Sequence, residues 1–260
     1  VLFVQAGLLL LVAAGVPDRG PAMNRSRDWD AHHYSLLMAN VPFPPESRVI
    51  GLEGEMTALK FMQAAEGLAQ DMLPITADDP ALRAAAIAQS VAGGYPTFIT
   101  RELPGIEEQY SFSSDGPLVR VWPRGESAAV PPSIPLGVEL LGGRMRLQRY
   151  ELRVADLPGG AELELSLGWL PVAPITETLK VSLRLVDADG APVLDTEGRP
   201  VIADRFPIRQ VAPSSAWLPG ELVRDVHHLP LRQGTIGRLQ VIVYDANTVA
   251  ELGRVELPLP

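Results

Sequence analysis

The strongest constraint on how this chain can fold is the polar–apolar alternation of its second half. Residues 161–169 read Ala-Glu-Leu-Glu-Leu-Ser-Leu-Gly-Trp, and residues 180–187 read Lys-Val-Ser-Leu-Arg-Leu-Val-Asp. A period of two sends successive side chains to opposite faces of an extended strand, so each run predicts a strand with one buried and one wet face. Further strand candidates lie at 144–154, 222–229, 239–245 and 254–257. Turn signals separate them: Pro158-Gly159-Gly160, Asp187-Ala188-Asp189-Gly190, Pro219-Gly220 and Gln233-Gly234. Residues 135–260 are therefore expected to form an antiparallel β-sandwich, Ig-like or jelly-roll-like. Its core would be Leu163, Leu165, Leu167, Trp169, Val181, Leu183, Leu185, Val223, Leu239, Val241, Val243 and Leu257.

The first half has a different rhythm. Residues 29–40 read as a short helix that Pro42, Pro44 and Pro45 end, and residues 47–52 as a strand. Ala58, Phe61, Met62, Ala65 and Leu68 recur at helical spacing within 56–70, and 72–76 is a second strand. Pro80 opens another helix, capped by Asp78 or Asp79 and stopped at Gly93-Gly94. Strands follow at 97–100 and 118–122. This alternation predicts a small α/β domain over residues 27–122 with a parallel sheet, Rossmann-like or flavodoxin-like. Residues 123–134, small, polar and Pro-rich, read as the linker to the all-β part.

Residues 1–16 carry no charge and one amide, Gln5, and their apolar residues run all round any helix drawn through them. The run falls short of the roughly 20 residues that span a bilayer. The sequence starts at Val without a Met, so the expected reading is a truncated transmembrane helix or hydrophobic anchor. A signal remnant and a core helix stay open as alternatives. Arg19, Arg25 and Arg27 follow it, which by the positive-inside rule favours a cytoplasmic exit.

Composition excludes several classes. The formal net charge is −9, which leaves no electrostatic footprint for nucleic acid. The chain has no Cys, so disulfides, Cys-ligated zinc, iron–sulfur clusters and thiol nucleophiles are out. Arg outnumbers Lys 20 to 2, a bias that follows GC-rich coding more than any Arg chemistry. No Gly-x-Gly-x-x-Gly, Walker-type or Gly-x-Ser-x-Gly motif occurs, so no nucleotide cofactor is expected.

Open α/β sheets bind ligands at the carboxyl ends of their strands. That places Glu53 and Glu55 at the exit of the first strand, and Arg101 and Glu102 at another. The two glutamates read either as a carboxylate pair for acid–base or metal work, or as acids favoured by a helix N-terminus. Trp217 and Tyr244 read either as a sugar-stacking platform or as packed aromatics. His32-His33 falls on a helix and His227-His228 on a strand. Adjacent positions face different ways in both, so neither doublet can chelate one metal. Asp187-x-Asp189-Gly190 is closer to a hairpin turn than to a calcium loop. No metal site is expected.

Residues 48–68, with Phe61-Met62-Gln63 and Glu66-Gly67-Leu68, resemble the soluble tail of bacterial multi-pass membrane glycosyltransferase-like proteins related to protein O-mannosyltransferases. Tyr95-Pro96-Thr97-Phe98-Ile99-Thr100-Arg101 and 116–123 resemble two strands of that tail, and Trp217-x-Pro219-Gly220-Glu221-x-Val223-x-Asp225 is similar to extensions that follow it. Ala69-Gln70-Asp71 departs from the Arg-Pro-Asp of that pattern. The resemblance implies that residues 1–16 are a last transmembrane helix and that the rest is extracytoplasmic, against the hint from the three arginines. It also implies that the catalytic membrane region lies elsewhere, so no catalytic residue is carried over. The expected role is non-catalytic recognition of a glycan or protein acceptor beside the membrane. The rival expectations are a cell-surface carbohydrate-binding β-sandwich using Trp217, and an independent enzyme using Glu53 and Glu55.

Overall fold

The computed structural model describes residues 30–157, 160–195, 198–230 and 237–259. Residues 1–16, with the membrane expectation attached to them, lie outside this range. Among the described residues no helix is long and apolar enough to cross a membrane.

A mixed α/β region comes first. Helix α1 (Asp30–Ala39) is followed by β1 (Arg48–Gly51), α2 (Glu53–Glu66), β2 (Leu73–Thr76), α3 (Pro80–Ala92) and β3 (Thr97–Ile99). The local chemistry sets these bounds. Asp79 Oδ1 accepts from the backbone N of Ala81 at 2.8 Å and of Leu82 at 3.0 Å, and Pro80 takes the first position of α3. Helix α2 ends at Gly67, whose left-handed φ of 68° a residue with a side chain adopts only with strain.

Strands β4 (Tyr110–Asp115) and β5 (Leu118–Pro123) complete a five-stranded sheet in the order β2-β1-β3-β5-β4. The expected parallel sheet is corrected here. Only β2, β1 and β3 run parallel, and β5 and β4 are added antiparallel. Strand β4 was not foreseen because Ser111, Ser113 and Ser114 break any apolar pattern, yet all three are buried.

The remainder is two four-stranded antiparallel sheets. Its strands are β6 (Ile134–Leu140), β7 (Met145–Leu157), β8 (Gly160–Pro171), β9 (Leu179–Val186), β10 (Ile202–Arg205), β11 (Val223–Pro230), β12 (Arg238–Asp245) and β13 (Glu251–Pro258). One sheet has the order β11-β8-β7-β6 and the other β10-β9-β12-β13. All the core residues expected from alternation are buried and belong to a single hydrophobic cluster fed by both sheets. Strands β6 and β10 were not anticipated, and β6 starts on Ile134, the last residue of the expected linker. The Asp187 turn is a hairpin device: Oδ1 accepts from Asp189 N at 3.0 Å and Ala191 N at 2.8 Å.

The α/β region and the β region meet along β4 and β11. Ser113 Oγ donates to the Arg224 carbonyl at 3.1 Å and accepts from Arg224 N at 2.6 Å, so a side chain stands in for a ladder of backbone bonds. Arg224 also pairs with Asp115 at 3.0 Å. Burial nevertheless pushes the Asp115 carboxyl above its ordinary range, outweighing the attraction of Arg224 and Arg120. Glu221 joins the same seam, accepting from Ser111 Oγ and from Ser127 N, each at 2.8 Å.

Candidate functional site

The carboxyl ends of β1 and β3 do bring Glu55 and Arg101 together, at 2.8 Å. Their arrangement is closed on itself. Glu55 accepts from Leu52 N at 3.2 Å and from the Thr100 hydroxyl, so its carboxylate fills the crevice where a ligand's anion would sit. A Cβ on Gly51 would meet Thr100 Oγ1 and come within 2.8 Å of Met56 Cε. Glu53 is exposed and its backbone N donates to Asp78 at 2.8 Å, so it does not share a site with Glu55. Glu102 lines a separate cavity of about 260 Å³ beside Phe206 and Gln210. Trp217 is 7% exposed and joins the hydrophobic core, so it offers no open ring face to a sugar. Tyr244 is half-buried on β12.

The larger concave site lies elsewhere, at the junction of the two regions. It is a cavity of about 650 Å³ reached by α1, β8, β10, β11, the turn at Pro117 and the loop at 206–210. Three of the chain's four histidines, His33, His227 and His228, line it. Pairing sets which way they face. On β11, His227 opposes Leu165 and Asp225 opposes Leu167, so both point to the core side of the sheet. His228 opposes Glu164 and takes the other face, diagonal to Glu162 on β8.

Two acidic centres result. Glu162 Oε1 lies 3.2 Å from His33 Nε2, and Glu162 Oε2 lies 3.6 Å from His228 Nδ1. Contact with His228, supported by the charge of His33, holds the Glu162 carboxyl below the usual carboxylate range, although its burial works the other way. Asp225 is 1% exposed and carries three contacts. Its Oδ1 accepts from Ile208 N at 2.8 Å, and its Oδ2 accepts from Trp169 Nε1 at 3.3 Å and lies 2.7 Å from His227 Nε2.

Asp225 thereby anchors an unusual loop. Ile208, Arg209 and Gln210 have φ of 44°, 55° and 64° in succession. Such values are rare for residues with side chains, and rarest for a β-branched one. The loop aims Arg209 across the cavity, where Nη1 donates to Tyr34 Oη at 2.7 Å and to the Pro117 carbonyl.

The site was missed because it is assembled from distant segments. Within each doublet the neighbours face different ways, but the fold sets His33 and His228 on the same glutamate. The sequence hint was that all four histidines occur as two adjacent pairs. Among the described residues no group of three or more His, Asp and Glu is placed to hold a metal ion. No protein-family model matches the chain, and no curated protein or solved structure matches it.

Proposed function

We propose that this chain is a recognition unit with no chemistry of its own, whose junction cavity holds part of a glycan or protein acceptor. The observation that carries this reading is the cavity itself. Its volume of about 650 Å³ lies in the range of ligand pockets, and its polar groups are held in place by the surrounding structure. Asp225 is consumed by three contacts, which leaves Glu162, His33, His228, Arg205 and Arg209 to face a ligand. This is the composition of a binding pocket for a polar molecule.

The setting follows from the resemblance of residues 48–68, 95–101 and 116–123. We propose that the chain is the extracytoplasmic tail of a membrane glycosyltransferase-like protein, tethered through residues 1–16. Three folding units complete the proposal: an α/β domain over 27–122, a connection over 123–134 and a closed β-sandwich over 135–260. The order β2-β1-β3 supports a flavodoxin-like reading of the first. The last is supported by the inward residues of both four-stranded sheets sharing one cluster, which also takes in Ile50, Ile87 and Ile99 of the first.

Two experiments test these readings. The chain is probed against arrays of cell-surface glycans and glycopeptides, beside a His228→Trp variant that fills the cavity. Binding that disappears in the variant supports recognition through this pocket, and binding that survives it contradicts it. The reading frame upstream of residue 1 tests the setting. Many hydrophobic helices there support it, and a complete signal peptide directly before Val1 sinks it.

A further inference from the structure

The cavity holds two carboxylates and two guanidiniums, and they are matched unequally. Asp225 is occupied by Ile208 N, Trp169 Nε1 and His227, whereas Glu162 meets His33 through Oε1 and keeps Oε2 without a hydrogen bond among the described residues, 3.6 Å from His228 Nδ1. The guanidiniums have no such match. Arg209 bonds only to neutral oxygens, the Tyr34 hydroxyl and the Pro117 carbonyl, and lies 5.4 Å from the Tyr34 ring. Arg205, exposed at the end of β10, has no carboxylate partner among the described residues. Arg101 with Glu55, Arg224 with Asp115 and Arg238 with Glu256 show the pairing that these two lack, whereas Arg83, Arg124 and Arg149, like Arg209, donate to backbone carbonyls. The result is two guanidiniums that, among the described residues, have no carboxylate partner, in a cleft whose two carboxylates make contacts of their own.

Two more observations point to an occupant. His228 Nε2 and Glu162 Oε2, both on residues that line this cavity, are buried without a hydrogen-bond partner among the described residues, as are atoms away from it such as Ser114 Oγ and Trp217 Nε1. The strained run Ile208–Arg209–Gln210 is held by Asp225 in a conformation that fixes Arg209 at the cavity wall. Strain kept in place by a buried acid marks a segment whose position matters.

We infer that the cavity binds a small, hydroxyl-bearing oxyanion, a sugar carrying a phosphate or carboxylate group, with Arg205 and Arg209 on the anion and Glu162 and His228 on its hydroxyls. Guanidinium groups present planar forks that suit both oxyanions. Glu162, ionised at neutral pH, repels the anion from its own end and accepts from hydroxyls there, which sets the ligand's direction. This inference rests on the cavity being the recognition site proposed above.

Calorimetric titration of the chain with hexose 6-phosphate, with hexuronate and with the neutral hexose tests it. At least one anion is expected to bind tenfold or more tightly than the neutral sugar, and the better of the two identifies the oxyanion. Its affinity should fall at high salt, and tenfold or more in both Arg205→Gln and Arg209→Gln, with Arg209→Lys retaining part of it. Arg205 is exposed, so an unchanged melting temperature in Arg205→Gln excludes misfolding as the cause. Equal affinity for neutral and anionic sugars, or anion binding unaffected by Arg205→Gln, overturns the inference. Neutral-sugar binding abolished by His228→Trp would then leave the recognition reading standing alone. Binding of none of the three probes overturns the inference outright, and silence on the arrays as well removes the recognition reading too.

Discussion

Replacing Asp225 by Ala should be among the most damaging single changes in the β region, and for a reason separate from hydrophobic packing. The side chain is 1% exposed and serves Ile208 N at 2.8 Å, His227 Nε2 at 2.7 Å and Trp169 Nε1 at 3.3 Å. Removing it leaves buried polar groups without their partner. Each such group costs about 1–3 kcal/mol, and the long Trp169 contact counts least, so the expected loss is about 4 kcal/mol. For a chain of this size that lowers Tm by about 10 °C. Asp225→Asn keeps one accepting oxygen for Ile208 N and should lose about half as much. Urea unfolding followed by tryptophan fluorescence measures both. A second readout follows from geometry. Asp225 holds Ile208–Gln210 in left-handed backbone, so folded Asp225→Asn should release the loop and weaken anion binding through Arg209. Asp225→Ala within about 1 kcal/mol of the parent chain would refute the idea that this acid organises the loop.

Other consequences follow from the same structure. Gly51→Ala places a Cβ against Thr100 Oγ1 and 2.8 Å from Met56 Cε, so calorimetric unfolding should show a loss of about 1–3 kcal/mol from overpacking. Leu165→Ala, fully buried on β8, should cost about 2–5 kcal/mol in the same assay. Hydrogen bonding from Arg144 lowers the Glu177 carboxyl to about 2. A carboxyl lowered on folding adds stability above its unfolded value, and that stability is lost as pH falls through the folded value. Acid titration should therefore show a contribution fading from the ordinary carboxyl value of 4.5 toward about 2, and Arg144→Gln should remove that component.

Local pattern made the regular parts legible. Alternation in 161–169 and 180–187 placed β8, β9 and their inward leucines and valines, because a half-buried antiparallel strand writes its burial into every second residue. Asp79 and Pro80 announced the start of α3 by the same kind of local rule. Strand β4 escaped because its buried serines are satisfied by residues far along the chain: Ser111 by Glu221 and Ser113 by Arg224. The candidate site escaped for the same reason. Glu162 reads as a wet-face residue of β8 until α1 delivers His33 and the far side of β11 delivers His228. The strand-end rule put Glu55 at one strand exit and Arg101 at another; the structure pairs the two across those exits and closes the crevice with them.

Hydrogen–deuterium exchange of the full chain, with and without saturating hexose 6-phosphate, locates binding without presupposing its residues. The account predicts protection confined to α1 near His33 and Tyr34, to β8 around Glu162, to residues 205–210 and to β11 around 225–230. Protection at Gly51–Glu55 and Thr100–Arg101 instead, or none at the junction cavity, would contradict it.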